Sequence, residues 1–249
     1  MLPIDLQILK YVFFEKPIYH FKIRPFLTTE AHQSLERMLK EREENDISNQ
    51  KLLELDYTIF DLETTGFIPE IGHEIISIGA TRIQGLKACH SETFHRIIGP
   101  IRPVGKSTLK LTGLSHSQLK DAPPFIEGFQ DFLNFCEGSV LVAHPAKFDM
   151  RFLQTMLKRW KLPTFSPPVI DSQQMAKWLF PEVKHQLDPL LKRFNIDKRE
   201  RHHALNDAIM TAELFSHLLE ETIYKQITTF GELKRELAPY NNPKKARSH

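Results

Sequence analysis

The chain has 249 residues, with 33 Lys and Arg against 31 Asp and Glu, and 41% of its residues are hydrophobic. This composition is typical of a globular protein. Cys89 and Cys136 lie far apart without a CxxC spacing, which excludes a disulfide framework and a zinc site built on cysteines. No apolar run approaches the ~20 residues of a membrane span, and Asp5 and Lys10 interrupt the segment where a signal peptide would be apolar. We therefore expect a soluble, cytoplasmic protein with no membrane partner.

Residues 1–51 are predicted to be a helical N-terminal extension. Leu35, Met38 and Leu39 recur at helical spacing among many charges, and Thr29 precedes them as a candidate N-cap. An exposed amphipathic helix fits this pattern. The sequence leaves open whether the segment packs against the main domain or against a partner.

The next part of the chain predicts an α/β fold. "YTIFDL", "EIISIGATRI" and "TFHRII" follow one another with short connections, as in an antiparallel meander. After a turn-rich, partly helical segment and a helix that follows Pro124, the strands "SVLVAH" and "PVIDS" alternate with helices. The expected fold is therefore a mixed five-stranded sheet, with three antiparallel strands and then two parallel strands, flanked by helices. We assign this domain to residues 52–225 and expect residues 226–249 to be a polar, basic tail.

Asp61 and Glu63 are the first candidate site residues. Side chains alternate along a strand, so both carboxylates project from one face with a single residue between them. Two carboxylates this close repel each other unless a cation or a proton lies between them. Their oxygens suit Mg²⁺ or Mn²⁺ rather than zinc. A solvated strand face is the alternative interpretation of an isolated Asp-x-Glu pair.

A second cluster follows the strand "SVLVAH". Sites in such sheets form where the strand order reverses, which brings Asp61 close to the loop from His144 to Asp149. Asp149 begins a helix, so an N-cap role competes with a role in the site. Phe148 is suited either to stacking on a base or to the core, and His144 either to a contact with the substrate or to a structural hydrogen bond.

The third cluster opens the last long helix. Asp207 lies one step off the apolar stripe of this helix, at the edge of the domain, where it can join Asp61 and Glu63 around a cation. His202 lies five residues earlier, and its neutral imidazole can accept a proton from water near physiological pH. His203 is the competing candidate.

Together, "FDLETTG", "AHPAKFD" and "HHALNDA" resemble the three exonuclease motifs of the DnaQ-like, DEDDh family of 3′-to-5′ exonucleases. The resemblance extends from about Asp56 to Ile223 and includes "EIISIGA" in the second strand and "LTGL" at Leu111 to Leu114. One departure is Pro145, where many family members have Asn; proline offers neither an amide side chain nor a backbone N–H.

The resemblance implies an RNase H-like fold and two divalent metal ions, Mg²⁺ or Mn²⁺. Asp61, Glu63 and Asp207 would hold the first ion. Asp61 would bridge to the second, which Asp149 would help to hold through water, and His202 would be the general base. The implied reaction is hydrolysis at the 3′ end of a single strand with release of a nucleoside 5′-monophosphate, possible in proofreading or repair.

The substrate contacts are also implied by position. The formal net charge of +2 does not by itself indicate a nucleic-acid partner, but a basic run precedes His202 and another includes Lys244, Lys245 and Arg247, unless both are solvated surface charge. The candidate substrate-binding residues lie in or next to the motifs. They are Thr64, Thr65, Gly66, Leu114, His144, Phe148, Lys198, Arg199 and Arg201.

Single-stranded DNA 3′ ends are the favoured substrate, with RNA as the alternative, because the motifs do not locate a contact to the 2′-OH. Two other functions remain open at this point. One is a non-catalytic or accessory module bound to a polymerase subunit, and the other is an oligoribonuclease-like phosphodiesterase acting on very short oligonucleotides. The sequence does not indicate an oligomeric state.

Overall fold

The computed structural model of the chain describes residues 4–42 and 45–241, without the side chains of residues 4, 7, 87–91 and 241. Its strands are β1 (Asp56–Thr64), β2 (Ile75–Gln84), β3 (Lys87–Ile97), β4 (Val140–Ala143) and β5 (Val169–Asp171). Its α-helices are α1 (Ile4–Lys10), α2 (Lys16–Ile23), α3 (Glu30–Glu41), α4 (Lys106–Thr112), α5 (His116–Asp121), α6 (Phe125–Phe135), α7 (Ala146–Arg159), α8 (Ser172–Leu179), α9 (Leu187–Arg193), α10 (Ala204–Tyr224) and α11 (Phe230–Leu237). No helix within these ranges combines the length and the apolar character that crossing a bilayer requires.

The strands form one mixed sheet in the order β3-β2-β1-β4-β5. The pairs β1–β2 and β2–β3 are antiparallel, whereas β4 pairs parallel to both β1 and β5. All four residues of β4 are buried, as expected for a short apolar strand covered on both faces. The predicted mixed five-stranded sheet is therefore confirmed, and the strand order reverses between β1 and β4.

Alternate residues of β1 face two helical layers. Phe60 and Leu62 pack into the layer that contains α3, α6 and α7, while Tyr57 and Ile59 pack into the layer that contains α8, α9, α10 and α11. This division follows from the period of two along a strand. The sheet is thus held between two apolar cores, and the carboxyl end of β1 emerges between them.

Helix α3 belongs to the first of these cores. Thr29 is its N-cap, as predicted, and accepts a hydrogen bond from the backbone N–H of His32 at 3.3 Å. Leu35 and Leu39 are buried against the core, and the His32 ring nitrogen Nε2 bonds to the carbonyl of Trp160 at 2.8 Å. Helix α3 is therefore amphipathic, as predicted, and its apolar face packs against the main domain, which is one of the two alternatives that the sequence left open.

The C-terminal segment also differs from the prediction. Within residues 226–249, which we expected to be a polar tail, Phe230–Leu237 forms α11 and buries Phe230, Leu233 and Leu237. These apolar residues recur at helical spacing among charges, and Thr229 and Glu232 form a capping box at the start of the helix. The basic residues Lys244, Lys245 and Arg247 lie outside the described residues.

Candidate active site

The carboxyl end of β1 carries Asp61 and Glu63 on one side of the sheet. Asp61 lies opposite Gly79 of β2, and Glu63 lies opposite Ser77, just before an irregularity in the pairing at Thr64. Glu63 is 9% exposed, and Asp61 remains accessible to water although protein atoms surround it. The two side chains therefore lie together at the partly accessible carboxyl end of β1, which we call the cleft.

Gly79 allows the start of α10 to lie against the sheet beside this cleft. A Cβ atom at Gly79 would be 2.1 Å from the backbone nitrogen of Leu205 and 2.2 Å from the carbonyl carbon of Ala204, far closer than non-bonded atoms tolerate. Asp207 follows in the first turn of α10 and is 4% exposed. Because Gly79 has no side chain, α10 packs closely there and brings Asp207 near Asp61, the β1 residue that pairs with Gly79.

Asp149 reaches the cleft from α7, the helix that connects the parallel strands β4 and β5. It lies in the first turn of α7, whose N-cap is Pro145, and is 3% exposed. Asp149 is therefore not the helix N-cap, the alternative that the sequence left open. Burial raises the pKa of Asp149 well above its usual range, and the charge of Asp171 adds to the rise.

The carboxyl groups in the cleft perturb one another. Burial raises the pKa of Asp61 well above its usual range, and the negative charges of Asp149 and Asp207 raise it further. Burial, with a contribution from the charge of Asp207, raises the pKa of Glu63 to about 7. The pKa of Asp207 is also raised by burial, although the nearby Arg201 opposes the rise. Four acids gathered in one buried place form a site suited to binding cations.

His202 lies at the same cleft. Single ligand atoms of Glu63, His202 and Asp207 all lie within 4.8 Å of one another. The His202 side chain is exposed, its φ is 61°, and its backbone N–H donates to Asp207 Oδ2 at 3.1 Å. The left-handed conformation and this hydrogen bond place the imidazole beside the carboxylates.

His203 has a different position. Its Nδ1 accepts a hydrogen bond from the backbone N–H of Asn206 at 3.5 Å, as the N-cap of α10. Its ring also lies 4.6 Å from the ring of His95 on β3, measured between centroids. The geometry therefore favours His202 over His203 as the histidine of the site.

Arg201 connects Asp207 to a second acid. Its guanidinium pairs with Asp207 Oδ1, and its Nε lies 3.3 Å from Asp188 Oδ1. Lys198 also pairs with Asp188, at 3.0 Å. Two of the basic residues predicted to contact phosphate are thus held by Asp188 of α9, a residue that the sequence analysis did not single out.

These residues lie inside one family match. The sequence model of the RNase_T family, described as exonuclease, matches residues 58–215 of the chain. The chain belongs to this exonuclease family. This membership confirms the resemblance to the DnaQ-like 3′-to-5′ exonucleases, and the matched range includes all five residues implied for the reaction.

Curated relatives of the exonuclease are much longer proteins. It is 37% identical over 201 residues to "DNA polymerase III PolC-type" from Streptococcus thermophilus, a match that covers 80% of this chain and 14% of the relative. A protein of the same name from Streptococcus pneumoniae is 36% identical over 198 residues, covering 79% of this chain and 13% of the relative. The chain therefore spans about one seventh of the length of these relatives.

Solved structures share the fold of the exonuclease. The nuclease domain of 3′hExo, described as a DEDDh family member bound to rAMP, has a TM-score of 0.60 at 21% identity, covering 68% of this chain and 93% of that one. Exonuclease X in complex with 5′ overhanging duplex DNA has a TM-score of 0.53 at 23% identity, covering 66% and 91%. These likenesses support the RNase H-like architecture.

In the exonuclease, the small residues at the end of β1 and in the loop that follows stabilise the turn of that loop. The Thr64 hydroxyl donates to the Gly66 carbonyl at 2.8 Å, and the Thr65 hydroxyl accepts from the backbone N–H of Glu74 at 2.9 Å. A Cβ at Gly66 would be 2.5 Å from the His73 ring. Gly66 therefore makes room for His73. The substrate contacts predicted for Thr64, Thr65 and Gly66 would have to use polar atoms that these hydrogen bonds do not occupy.

His144 is used inside the protein. Its Nδ1 lies 2.9 Å from the Ser172 hydroxyl, and its Nε2 lies 2.8 Å from the His185 carbonyl. Burial lowers the pKa of His144 to about 4. Both ring nitrogens bond to protein atoms, which leaves neither for the substrate contact that we predicted. A contact with a loop 41 residues away could not be found from local sequence.

An aromatic pair lies next to the loop of the first motif. Phe148 is partly buried, and its ring lies 5.0 Å from that of Phe152 in the core and 6.4 Å from that of Phe67. Phe67 is 76% exposed. Phe67 was not predicted as a site residue, although its position as an apolar residue directly after the "ETTG" turn was the available signal. Leu114 instead packs against the small cluster of Ile76, Val104 and Leu119.

Proposed function

We propose that this exonuclease removes nucleotides from the 3′ ends of single-stranded nucleic acid, with DNA favoured, and releases nucleoside 5′-monophosphates. The observation that carries the proposal is the gathering of Asp61, Glu63, Asp149 and Asp207 in one cleft, with His202 beside Glu63 and Asp207. A binding module without chemistry has no need for four gathered acids whose pKa values are all raised, mainly by burial.

The donor set fits two divalent ions, Mg²⁺ or Mn²⁺. Asp61, Glu63 and Asp207 would hold one ion, and Asp61 and Asp149 would help to hold the other. Carboxylate oxygens are the ligands that these ions prefer. When bound, the ions would supply an activated water and neutralise the charge that develops on the leaving 3′ oxygen.

His202 supplies the proton transfer. Its imidazole is exposed to the cleft and close to Glu63 and Asp207, so it can take a proton from the water that attacks the terminal phosphodiester. The hydrogen bond from its backbone to Asp207 couples the position of the base to that of a metal ligand. Water, phosphate and base then meet in the same cleft.

The substrate strand would approach over the aromatic pair. Phe67 offers an exposed ring on which a base can stack, and Phe148 supports that ring from the core side. Arg199 is exposed on the segment that precedes His202, and its charge would favour phosphate there. Lys198 and Arg201 would contact phosphate only by exchanging their contacts with Asp188.

A polymerase-associated role, with proofreading as its purpose, is part of the same proposal. The relatives that share 36–37% identity with the chain are named as DNA polymerases, which favours DNA over RNA and a polymerase subunit as partner. Such a role also fits the expected cytoplasmic location. Co-purification of the chain with a polymerase subunit would support this part, whereas degradation of free strands without any such association would favour a separate enzyme.

The test of the reaction uses strands labelled at either end. With Mg²⁺ or Mn²⁺, a 3′-labelled DNA strand should release labelled mononucleotide from the first turnover, while a 5′-labelled strand should shorten stepwise. A parallel RNA strand measures the preference for sugar, and dinucleotides measure the alternative of a phosphodiesterase for short oligonucleotides. Hydrolysis that persists in EDTA or proceeds from the 5′ end would refute the proposal.

A further inference from the structure

The N-terminal segment of the chain forms one helical rod. It consists of α1, a π-helical turn at Tyr11–Glu15 and α2, and runs from Ile4 to Ile23. Tyr11, Tyr19 and Ile23 are its buried residues, and Glu15 pairs with Arg102 at 2.6 Å. These contacts recur every fourth residue, so the rod touches the domain along a single narrow stripe.

The side of the rod that faces away from the domain carries many large apolar side chains. Eight of the thirteen exposed large hydrophobic side chains in the described part of the chain lie on it, and each is 43–76% exposed. They are Leu6, Ile8, Leu9, Val12, Phe13, Phe14, Ile18 and Phe21. Contiguous apolar surface of this kind marks an interaction site.

We propose that this face binds the same face of a second copy of the chain, with the two rods antiparallel. Along a helix with one π-helical turn, six of these residues share one side, roughly 100° wide. They pair by position about the midpoint of the rod. Leu6 meets Phe21, Leu9 meets Ile18 and Phe13 meets Phe14 of the second copy, so each pair has residue numbers that sum to 27.

The register also aligns the ends of the two rods. Ile4 and Ile23, the two ends of the rod, likewise have numbers that sum to 27, so both rods overlap along their whole length. A two-fold interface of this kind needs a self-complementary patch, in which residue i contacts residue j and j contacts i. The rod satisfies this condition in one register.

The area and the charges agree with a second copy as the occupant. The exposed parts of the six side chains on the shared side amount to roughly 700 Å², close to what each partner contributes to a stable interface. Asp5 lies near the first end of the rod, while Lys22 and Arg24 lie near the other. Antiparallel packing brings unlike charges together at both ends, whereas parallel packing would bring the cations together.

The first experiment measures the mass of the full chain in solution by light scattering across a range of concentrations. The chain, of 29.0 kDa, should have twice that mass, and the double variant Phe13→Glu, Phe21→Glu should be monomeric at every concentration where the wild type is a dimer. Tyr224→Glu is the matched control, because Tyr224 is an exposed aromatic residue elsewhere on the surface, at 83%. Circular dichroism confirms that each variant is folded.

The second experiment tests the register by oxidative cross-linking in a Cys89→Ser background. Phe13→Cys should form a covalent dimer, because residue 13 lies about 1.5 Å along the axis from its copy. Leu6→Cys should not, because the two copies of residue 6 would lie about 22 Å apart.

Three results would overturn the proposal: a monomeric wild-type chain, a dimer that persists in the double variant, or cross-linking at Leu6→Cys as efficient as at Phe13→Cys. A monomer that binds lipid vesicles or another protein through the rod would identify a different occupant.

Discussion

At the scale of single residues, the buried acids of the cleft destabilise the folded protein when they are ionised, and a bound cation would relieve this effect. The pKa of Glu63 is raised to about 7 from an ordinary value of 4.5. Between these values the folded protein keeps a proton that the unfolded chain has released. The stability linked to Glu63 is therefore complete below about pH 4.5 and is lost as the pH rises through 7.

Glu63→Gln should stabilise the metal-free protein at high pH. The amide has the shape of the acid without its charge, so in EDTA at pH 8 the free energy of unfolding in urea should rise by up to about 3 kcal/mol. At pH 4 the variant and the wild type should agree. Glu220→Gln, an exposed change on α10, serves as the control, and a gain for Glu63→Gln that is equal at both pH values would contradict the account.

Substitutions at the neighbouring residues His202 and His203 should have different effects on the rate of hydrolysis. His202→Asn retains a residue that tolerates the left-handed backbone at φ 61° but lacks an imidazole, so the rate of nucleotide release should fall by ~10²–10⁴-fold. His203→Ser keeps an oxygen for the N-cap of α10 and should leave the rate nearly unchanged. Equal losses in both variants, measured in single-turnover reactions, would remove His202 from the role of base.

The spacing of single residues identified the acids but not their supports. Asp61, Glu63, Asp149 and Asp207 follow from strand alternation, helix starts and the motifs. Asp188 could not be found in this way, because its contact with Arg201 depends on how α9 packs beside the segment before α10. His144 could not be assigned either, since the carbonyl of His185 that it binds lies on a distant loop.

At the scale of elements, the approach of α10 to β2 decides where Asp207 lies. Gly79 sits opposite Asp61 in the sheet, and the backbone of Ala204 and Leu205 occupies the space where a side chain would be. The packing of the first turn of α10 against Gly79 therefore places Asp207 of the third motif next to Asp61 of the first motif.

Gly79→Ala should push α10 away from the sheet. An added methyl group would meet backbone atoms at 2.1–2.5 Å, so we expect a loss of about 1–3 kcal/mol in stability and a fall in the rate of hydrolysis larger than the unfolded fraction explains. Gly105→Ala is the control, because its Cβ would meet only the Ser107 hydroxyl at 3.8 Å. Wild-type activity and stability in Gly79→Ala would show that α10 does not depend on this contact.

The elements themselves were partly predictable. The order β3-β2-β1 followed from the meander and the β4–β5 pair from the crossover pattern, because these connections are local in the chain. Helix α11 was missed because the charges of "FGELKREL" obscured a three-residue apolar stripe. The burial of α3 was undecided because an amphipathic pattern identifies the apolar face of a helix without identifying what covers it.

At the scale of the whole molecule, the chain carries two distinct surfaces with separate proposed uses. The family domain gathers acids from β1, α7 and α10 into a cleft, and the N-terminal rod offers an apolar face directed away from that domain. The acids come from positions 61 to 207, so the cleft exists only when the sheet and both parallel connections have folded. Unfolding of any one of these elements should therefore abolish the activity completely.

The most direct test of the central claim is the number of Mn²⁺ ions bound per chain, measured by electron paramagnetic resonance of the free ion with a nucleoside 5′-monophosphate present. The account predicts two ions for the wild type, loss of this binding in Asp61→Asn, and unchanged binding in Asp56→Asn, which alters an exposed acid at the start of the same strand. A wild type that binds no Mn²⁺, or an Asp61→Asn variant that binds as many ions as the wild type, would contradict it.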